Sequence, residues 1–483
     1  MVFSSAIFLF IFLPFVLAGY YLLDRRFKNF FLLSASLFFY AWGEPRFVFV
    51  MIGSIFVNYL AALAIARYKT KALQKRAKMV LILAVFFNLS LFFVYKYLNF
   101  TIQNVNALAA LAGRDALVRQ THILLPIGIS FFTFQAMSYV FDVYYGKGQV
   151  QKNPLNVMLY VSLFPQLIAG PIVRYQTVAD EIQNRRETLS DFTYGIARFL
   201  IGLAKKAILA NTIAVAADAA YNALAAGTLT AGLAWLGAIA YGLQIYFDFS
   251  GYSDMAIGLG LMFGFHFLEN FDHPYLSTTV SEFWRRWHIS LGSWFRDYVY
   301  IPMGGSRVKS KARLVLNLLA VWTLTGIWHG ANWTFLVWGF MYFALLTFEK
   351  LTDLPQKLAG KKGLSALYRG VTMLCVICGW VIFRAESLSE GLGFLAAMFG
   401  FAPNGGWSSY TAAMLEQYAV VLLLAIVCCL DWKSMTRKPM TIFREKAPNA
   451  VFAVETVVLA LVSLAAVSFT VASTYNPFIY FNF

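Results

Sequence analysis

Charge is what this sequence has least of. Asp, Glu, Lys and Arg make up 13% of its 483 residues while 60% are hydrophobic, where about 25% charged and 45–50% apolar would be usual for a soluble domain. That balance excludes a solvated globular chain and implies an integral membrane protein. Four cysteines are too few for a disulfide scaffold. Cys375 and Cys378 form a C-x-x-C inside an apolar helical stretch with no histidine near it, which argues for packing rather than metal or redox chemistry, and Cys428 and Cys429 read the same way. Several catalytic templates are missing: no G-x-S-x-G elbow, no H-E-x-x-H, no Walker lysine, and no histidine followed five residues later by aspartate. No internal repeat marks a two-halved transporter. No positive side chain precedes the first apolar run and no small-residue cleavage site follows it, so an uncleaved first span is expected rather than a signal peptide.

What is present is a series of apolar runs. Residues 2–23, 48–66, 79–95, 123–141, 235–249, 313–328, 333–348, 371–383, 418–430 and 451–471 each approach the length that crosses about 30 Å of hydrocarbon as helix. The net charge of +16 would suggest nucleic acid in a soluble protein. Here it fits loops held at anionic lipid headgroups, with basic clusters at Arg25, Arg26 and Lys28, at 67–78 and at 433–446. The positive-inside rule then puts both termini outside.

One domain is expected over residues 1–483, with an irregular middle at about 152–340 and a C-terminal extension at about 350–483. The middle is punctuated by Pro154, Pro165, Pro171, Pro274 and Pro302 and by glycines in "FDFSGYSDMAIGLGLMFGF". Broken backbone survives at membrane depth only where protein buries it or a cavity hydrates it. A cavity is therefore expected there.

Five histidines are candidates for chemistry, because ionisable groups inside a membrane are costly and usually functional. His122, His266 and His273 sit where water can reach them, which favours structural or interfacial roles. His288 lies in a charged aromatic segment, 281–305, that reads as an amphipathic helix at the interface or along a polar cavity, ended by Tyr298–Pro302. In that register Trp284, His288 and Leu291 share a face, Arg285 is one turn from His288, and Glu282 can pair with Arg286 at i,i+4. A solvated basic helix on headgroups is the other reading. His329 is flanked by Gly326, Gly330 and Ala331, which leave room for a substrate, with Trp328, Asn332 and Trp333 as walls. A neutral imidazole suits proton removal from a hydroxyl, although a buried, satisfied histidine would look similar. Asp248 and Asp254 could orient a histidine, line a polar path, or cap a broken helix.

Four blocks together carry a resemblance: "PQLIAGPIVRY" (165–175), "YFDFSGYSDMAIGLG" (246–260), "FWRRWHISLGSWFRDYVYIPMGG" (283–305) and "TGIWHGANWTFLVWG" (325–339). With the opening "MVFSSAIFLFIFLP", the chain resembles the membrane-bound O-acyltransferase family, in its bacterial alginate and peptidoglycan O-acetyltransferase branch. The resemblance implies an all-α polytopic fold, a ring of tilted helices around a tunnel or funnel. It makes His329 the family's invariant histidine, at the narrowest point, and His288 the second. It further implies an acetyl donor, acetyl-CoA, with no bound cofactor or metal. The partners implied are an extracytoplasmic SGNH-type acetyltransferase, a polysaccharide acceptor and membrane lipids, and no nucleic acid.

Within this reading His329 deprotonates the acceptor, and Asn332, His288 or Arg285 are candidate donors to the oxyanion. Arg285 and Arg286 are expected to attract the donor's phosphates. The ending "PFIYFNF" (477–483) reads as an aromatic belt. Its Phe478, Tyr480 and Phe483 also match the F-x-Y-x-x-F ending of a small membrane peptide in teichoic-acid alanylation systems, which would make Tyr480 an acyl shuttle. D-alanyl transfer from a carrier-protein thioester and a channel or lipid flippase are the alternatives.

Overall fold

The computed structural model describes every residue except 402, 437–440, 442, 444, 473–478 and 480–483. Tyr480, Phe478 and Phe483, and Arg437, Lys438 and Arg444 of the last basic cluster, lie outside the described residues. The chain is all helical among the described residues, apart from one isolated bridge between Phe271 and Trp287. In order, the main helices are α1 (Phe8–Leu22), α2 (Arg25–Gly43), α3 (Phe47–Thr70), α4 (Gln74–Leu111), α5 (Ile129–Tyr145), α6 (Leu189–Ala225) and α7 (Ala231–Met262). They continue as α8 (Val280–Arg286), α9 (Ile289–Phe295), α10 (Lys311–His329), α11 (Trp333–Thr352), α12 (Lys362–Arg384), α13 (Ser409–Cys428) and α14 (Pro448–Ala472).

Seven of these are long and apolar enough to cross a membrane: α3, α4, α6, α11, α12, α13 and α14. The protein is multi-pass. Six of the ten apolar runs coincide with them, and the other four fall elsewhere. Run 2–23 yields only the short α1, run 123–141 becomes the 17-residue α5, buried on almost every side, and runs 235–249 and 313–328 lie within α7 and α10. A helix enclosed by protein is as apolar as one facing lipid, so hydropathy alone does not separate them. Conversely α6 was hidden by Arg198, Lys205 and Lys206, charges that the fold neutralises internally. By contrast only 6% of the apolar window of α14 is buried inside the protein.

The chain forms two compact units, Met1–Ile196 with Ala256–Leu268, and Ala197–Met255 with Glu269–Phe483. In the first, buried Asn58 and Asn88 exchange side-chain amide bonds at 3.1 and 2.8 Å between α3 and α4, polar pairing that suits an apolar surround. The block at 165–175 is irregular and buried, and Tyr160 donates to the Val173 carbonyl at 2.8 Å within it. A Cβ on Gly170 would lie 2.5 Å from Gln166 Cα. The first motif is therefore a packed break in the first unit.

The second block is not a break. Helix α7 runs unbroken through 246–260, so Asp248 and Asp254 cap nothing. Its glycines permit close helix contact instead: a Cβ on Gly251 would meet the Gly202 carbonyl at 2.8 Å, and one on Gly202 the Gly251 carbonyl at 2.5 Å. Glycine marks both breaks and close crossings, and here the crossing is what it serves.

Candidate active site

The site is built in the second unit from α8, α9, α10 and α11. Helix α8 begins with a reciprocal cap: Thr279 Oγ1 accepts from Glu282 N at 3.1 Å, and Glu282 Oε2 accepts from Thr278 N at 2.8 Å. Glu349 of α11, 1% exposed, accepts the backbone N–H groups of Val280 at 2.7 Å and Ser281 at 2.8 Å, and Tyr368 donates to it at 3.1 Å. A buried carboxylate thus sits where the helix dipole favours negative charge. It fixes the start of α8 firmly.

The expected helix from 281 to the Tyr298–Pro302 stop is broken at His288. Trp287 is extended, and His288 adopts φ 47° and ψ 52°, the left-handed region that costs a non-glycine residue roughly 1–2 kcal/mol. Asn270 sustains the break. Its backbone carbonyl accepts Ile289 N at 3.0 Å, and its Oδ1 accepts Ser290 N at 3.1 Å, Ser290 Oγ at 2.8 Å and His288 Nδ1 at 3.2 Å. The first two N–H groups of α9, which the helix itself leaves bare, are satisfied by one residue.

Around this break lies a cavity of about 260 Å³. His288 and Arg285 line it with Trp284, Trp287, Leu291 and Trp322, and Arg296 adds a second guanidinium. Arg285 is exposed and makes no ion pair among the described residues. Arg286 does not line the cavity: it pairs with Glu282 at 2.9 Å, the i,i+4 partner the spacing suggested, and reaches Asp272 at 4.0 Å. His288 is 2% exposed, and burial pushes its imidazole down to about 3. Its Nε2 is buried without a hydrogen-bond partner among the described residues.

His329 ends α10 in different surroundings and does not line the cavity. Trp328, Trp338 and Phe383 stand edge-on around its ring, each with a centroid separation of 5.0 Å. The Trp328 indole is also 6.0 Å from the His288 ring, so one side chain touches both histidines. The glycines beside His329 do not leave open room, contrary to expectation. A Cβ on Gly330 would overlap the Phe335 ring, one on Gly326 would meet the Phe335 carbonyl at 2.5 Å, and one on Gly339 the Trp322 carbonyl at 2.6 Å. They let α10 and α11 pack backbone to backbone. Asn332 caps α11, its Oδ1 accepting Thr334 N at 3.1 Å and its Nδ2 donating to Glu386 O at 2.8 Å.

Asp248 and Asp254 lie apart from the cavity lining, in ion pairs. Asp248 and Lys206, 1% and 2% exposed, are 2.5 Å apart, and Asp248 also accepts the Ile479 N–H at 2.9 Å. Asp254 pairs with Arg198 at 2.6 Å and Lys205 at 2.7 Å. The remaining histidines hold structural or exposed positions: His266 contacts Glu181 at 2.8 Å, His273 contacts the Cys429 carbonyl at 3.3 Å, and His122 is exposed. Sequence reasoning missed Asn270, Glu349 and Arg296. Glu349 carried a signal, as a carboxylate directly after the apolar run 333–348, whereas Asn270 stands in the polar stretch 266–274 and carried none.

Residues 151–388 match the model of the MBOAT, membrane-bound O-acyltransferase family. They enclose all four site helices. "Probable alginate O-acetylase AlgI" of Pseudomonas putida is 40% identical over 503 residues, covering 100% of both chains. The chain belongs to the membrane-bound O-acyltransferase family. It is an O-acyltransferase of the membrane, and its similarity reaches "Peptidoglycan O-acetyltransferase" of Helicobacter pylori at 34% over 432 residues, 83% of this chain and 80% of that one. "Teichoic acid D-alanyltransferase" of Bacillus subtilis is 30% identical over 276 residues, 54% of this chain and 69% of that one.

Proposed function

We propose that this O-acyltransferase takes acetyl from cytoplasmic acetyl-CoA and passes it toward the outer face of a bacterial inner membrane for O-acetylation of an exopolysaccharide or cell-wall glycan. The observation that carries the reading is the cavity, where the guanidinium of Arg285, without an ion pair among the described residues, and a histidine share one wall. Full-length similarity to a protein named as an alginate O-acetylase supports the acetyl group and a glycan as acceptor. The D-alanyl alternative is weaker because that likeness covers about half the chain. A conduit without covalent chemistry does not fit membership of an acyltransferase family.

In this mechanism Arg285 draws the donor's phosphates to the cavity, through the paired hydrogen bonds that guanidinium offers, while the guanidinium of Arg296 is held by Asp297 at 2.7 Å. His329 removes the proton of the acceptor hydroxyl, whose oxygen attacks the thioester carbonyl. The tetrahedral intermediate collapses as the C–S bond breaks, and the proton on His329 passes to the departing thiolate. Of the three oxyanion donors considered, Asn332 has its amide engaged in capping and His288 is neutral, which favours Arg285. Trp328 stands between the two histidines, Asn332 caps α11, and Asp248 and Asp254 tie α7 to α6.

The first acceptor in this proposal is the phenol of Tyr480, which an SGNH-type partner outside the membrane then relieves of acetyl. Its ordinary pKa of about 10 makes it easier to deprotonate than a sugar hydroxyl and a better leaving group. Ile479, next to Tyr480 in sequence, donates its N–H to Asp248 of α7, which supports this reading. The test is Tyr480→Phe in a strain making the acetylated glycan. Glycan acetylation should vanish with insertion intact, and mass spectrometry of the wild type should find acetyl on Tyr480 when the partner is deleted. A fully active Phe variant overturns the shuttle. For the donor, proteoliposomes are offered radiolabelled acetyl-CoA or a D-alanyl carrier thioester, and turnover of the latter alone overturns the acetyl reading.

A further inference from the structure

Asn270 has no counterpart among the residues that the motifs single out, yet it makes the densest set of bonds around His288. Its chemistry can be read without placing a hydrogen by choice. The backbone N–H of Ser290 can only donate, and it points at the Asn270 side-chain atom 3.1 Å away. That atom is therefore the carbonyl oxygen and not the amide nitrogen. The same oxygen lies 3.2 Å from His288 Nδ1. An oxygen without a hydrogen requires the nitrogen to carry one. His288 is thereby the Nδ1–H tautomer, and Nε2 carries the lone pair.

The Ser290 hydroxyl cannot reverse this assignment. At 2.8 Å from Asn270 Oδ1 it donates there, and it stands farther from Nδ1, at 3.4 Å. Asn270 is fully buried, and its Nδ2 has no partner among the described residues, so its oxygen is the functional end. The left-handed backbone of His288 is held by the same residue, through the bond from Ile289 N to the Asn270 carbonyl at 3.0 Å. Position, backbone and tautomer of His288 thus converge on one residue, the tautomer on its side chain.

We propose that Asn270 is a positioning residue that presents His288 to the cavity as a hydrogen-bond acceptor, so that Nε2 receives the hydroxyl of the acyl acceptor and does not donate to the thioester oxygen. The inference rests on the acyl-transfer reading above. The two histidines then act in succession on one hydroxyl. His288 holds it by its hydrogen as it arrives, and His329 takes the proton as the new C–O bond forms. An orienting partner that fixes one ring nitrogen so that the other can act is the usual way an imidazole is made directional.

The test is made on the full-length protein in lipid nanodiscs with ¹⁵N-labelled histidine. Asn270→Leu removes the acceptor at similar size, and Asn270→Asp keeps an acceptor for the same three donors. In the wild type the His288 signals should be those of a neutral ring protonated at Nδ1. In Asn270→Leu that signature should be lost and kcat should fall roughly 100-fold, with KM for acetyl-CoA within about twofold. Asn270→Asp should restore the signature and most of the turnover. A wild-type ring protonated at Nε2 overturns the proposal, as does an Asn270→Leu protein that loses turnover while keeping the Nδ1–H signature. If Asn270→Leu does not fold, Asn270→Asp decides alone, and absence of the signature there also overturns it. The spectroscopic result is independent of the acyl-transfer reading. Absence of acetyl transfer from acetyl-CoA by the wild type, with the signature intact, would sink that reading and leave the tautomer assignment standing, whereas full activity of His288→Gln would overturn the role given to Nε2.

Discussion

The break at His288 and the hairpin at His329 present the same side chain in opposite ways. Around His288 the backbone is strained, polar groups converge, and the ring borders a cavity. Around His329 the helix is regular to its last residue, the neighbours are aromatic, and glycines bring α10 and α11 into contact. The difference teaches that a histidine's functional surroundings need not resemble open space in sequence. Small residues beside His329 are about packing, and bulky tryptophans beside His288 wall the cavity.

The largest effect should come from the histidines themselves. His329→Gln is expected to lower acetyl transfer from acetyl-CoA by roughly 100-fold or more, with the melting temperature in detergent near wild type. An active variant would make the aromatic box a structural one.

Next come the glycines, which separate the two regions by stability. Gly330→Ala puts a methyl into the Phe335 ring and should cost about 1–3 kcal/mol, read as a lower melting temperature. Gly292→Ala, on the cavity wall, meets nothing nearer than the Trp284 carbonyl at 3.7 Å and should melt like wild type. Equal melting temperatures would remove the packing role assigned to the hairpin.

A smaller effect divides the two arginines. Arg285→Gln should raise KM for acetyl-CoA several-fold and weaken its salt dependence, because that guanidinium borders the cavity without an ion pair among the described residues. Arg286→Gln, which loses a pair with Glu282, should leave KM unchanged. The reverse ranking would move the donor site elsewhere.

Smallest is the pH response of His288. Because burial lowers its folded value to about 3, the ring stays neutral above roughly pH 4 and its ¹⁵N signals should not shift between pH 8 and pH 5. A titration midpoint inside that interval would mean that water reaches the ring freely.

Much of this was legible in the sequence for physical reasons. Low charge and apolar runs gave the membrane class, and the spacing of Glu282 and Arg286 gave their pair. The break at His288 was not legible. A left-handed histidine has no local marker, and the residue that sustains it, Asn270, is brought in from a separate stretch of chain. Gly251 misled because close helix contact and chain breaking use the same residue. Helix α6 was obscured because Arg198, Lys205 and Lys206 are charged in sequence and meet Asp254 and Asp248 only in three dimensions.

The central claim is that acyl transfer takes place where the His288 cavity and the Trp328–His329 box meet through one indole. The most direct measurement is single-turnover release of CoA from radiolabelled acetyl-CoA by purified protein in proteoliposomes, comparing wild type, His288→Gln, His329→Gln and the double variant. The account predicts that each single variant loses most of the rate and that the double is little worse than His329→Gln, because both histidines act on one hydroxyl. Wild-type rates in either single variant would contradict it.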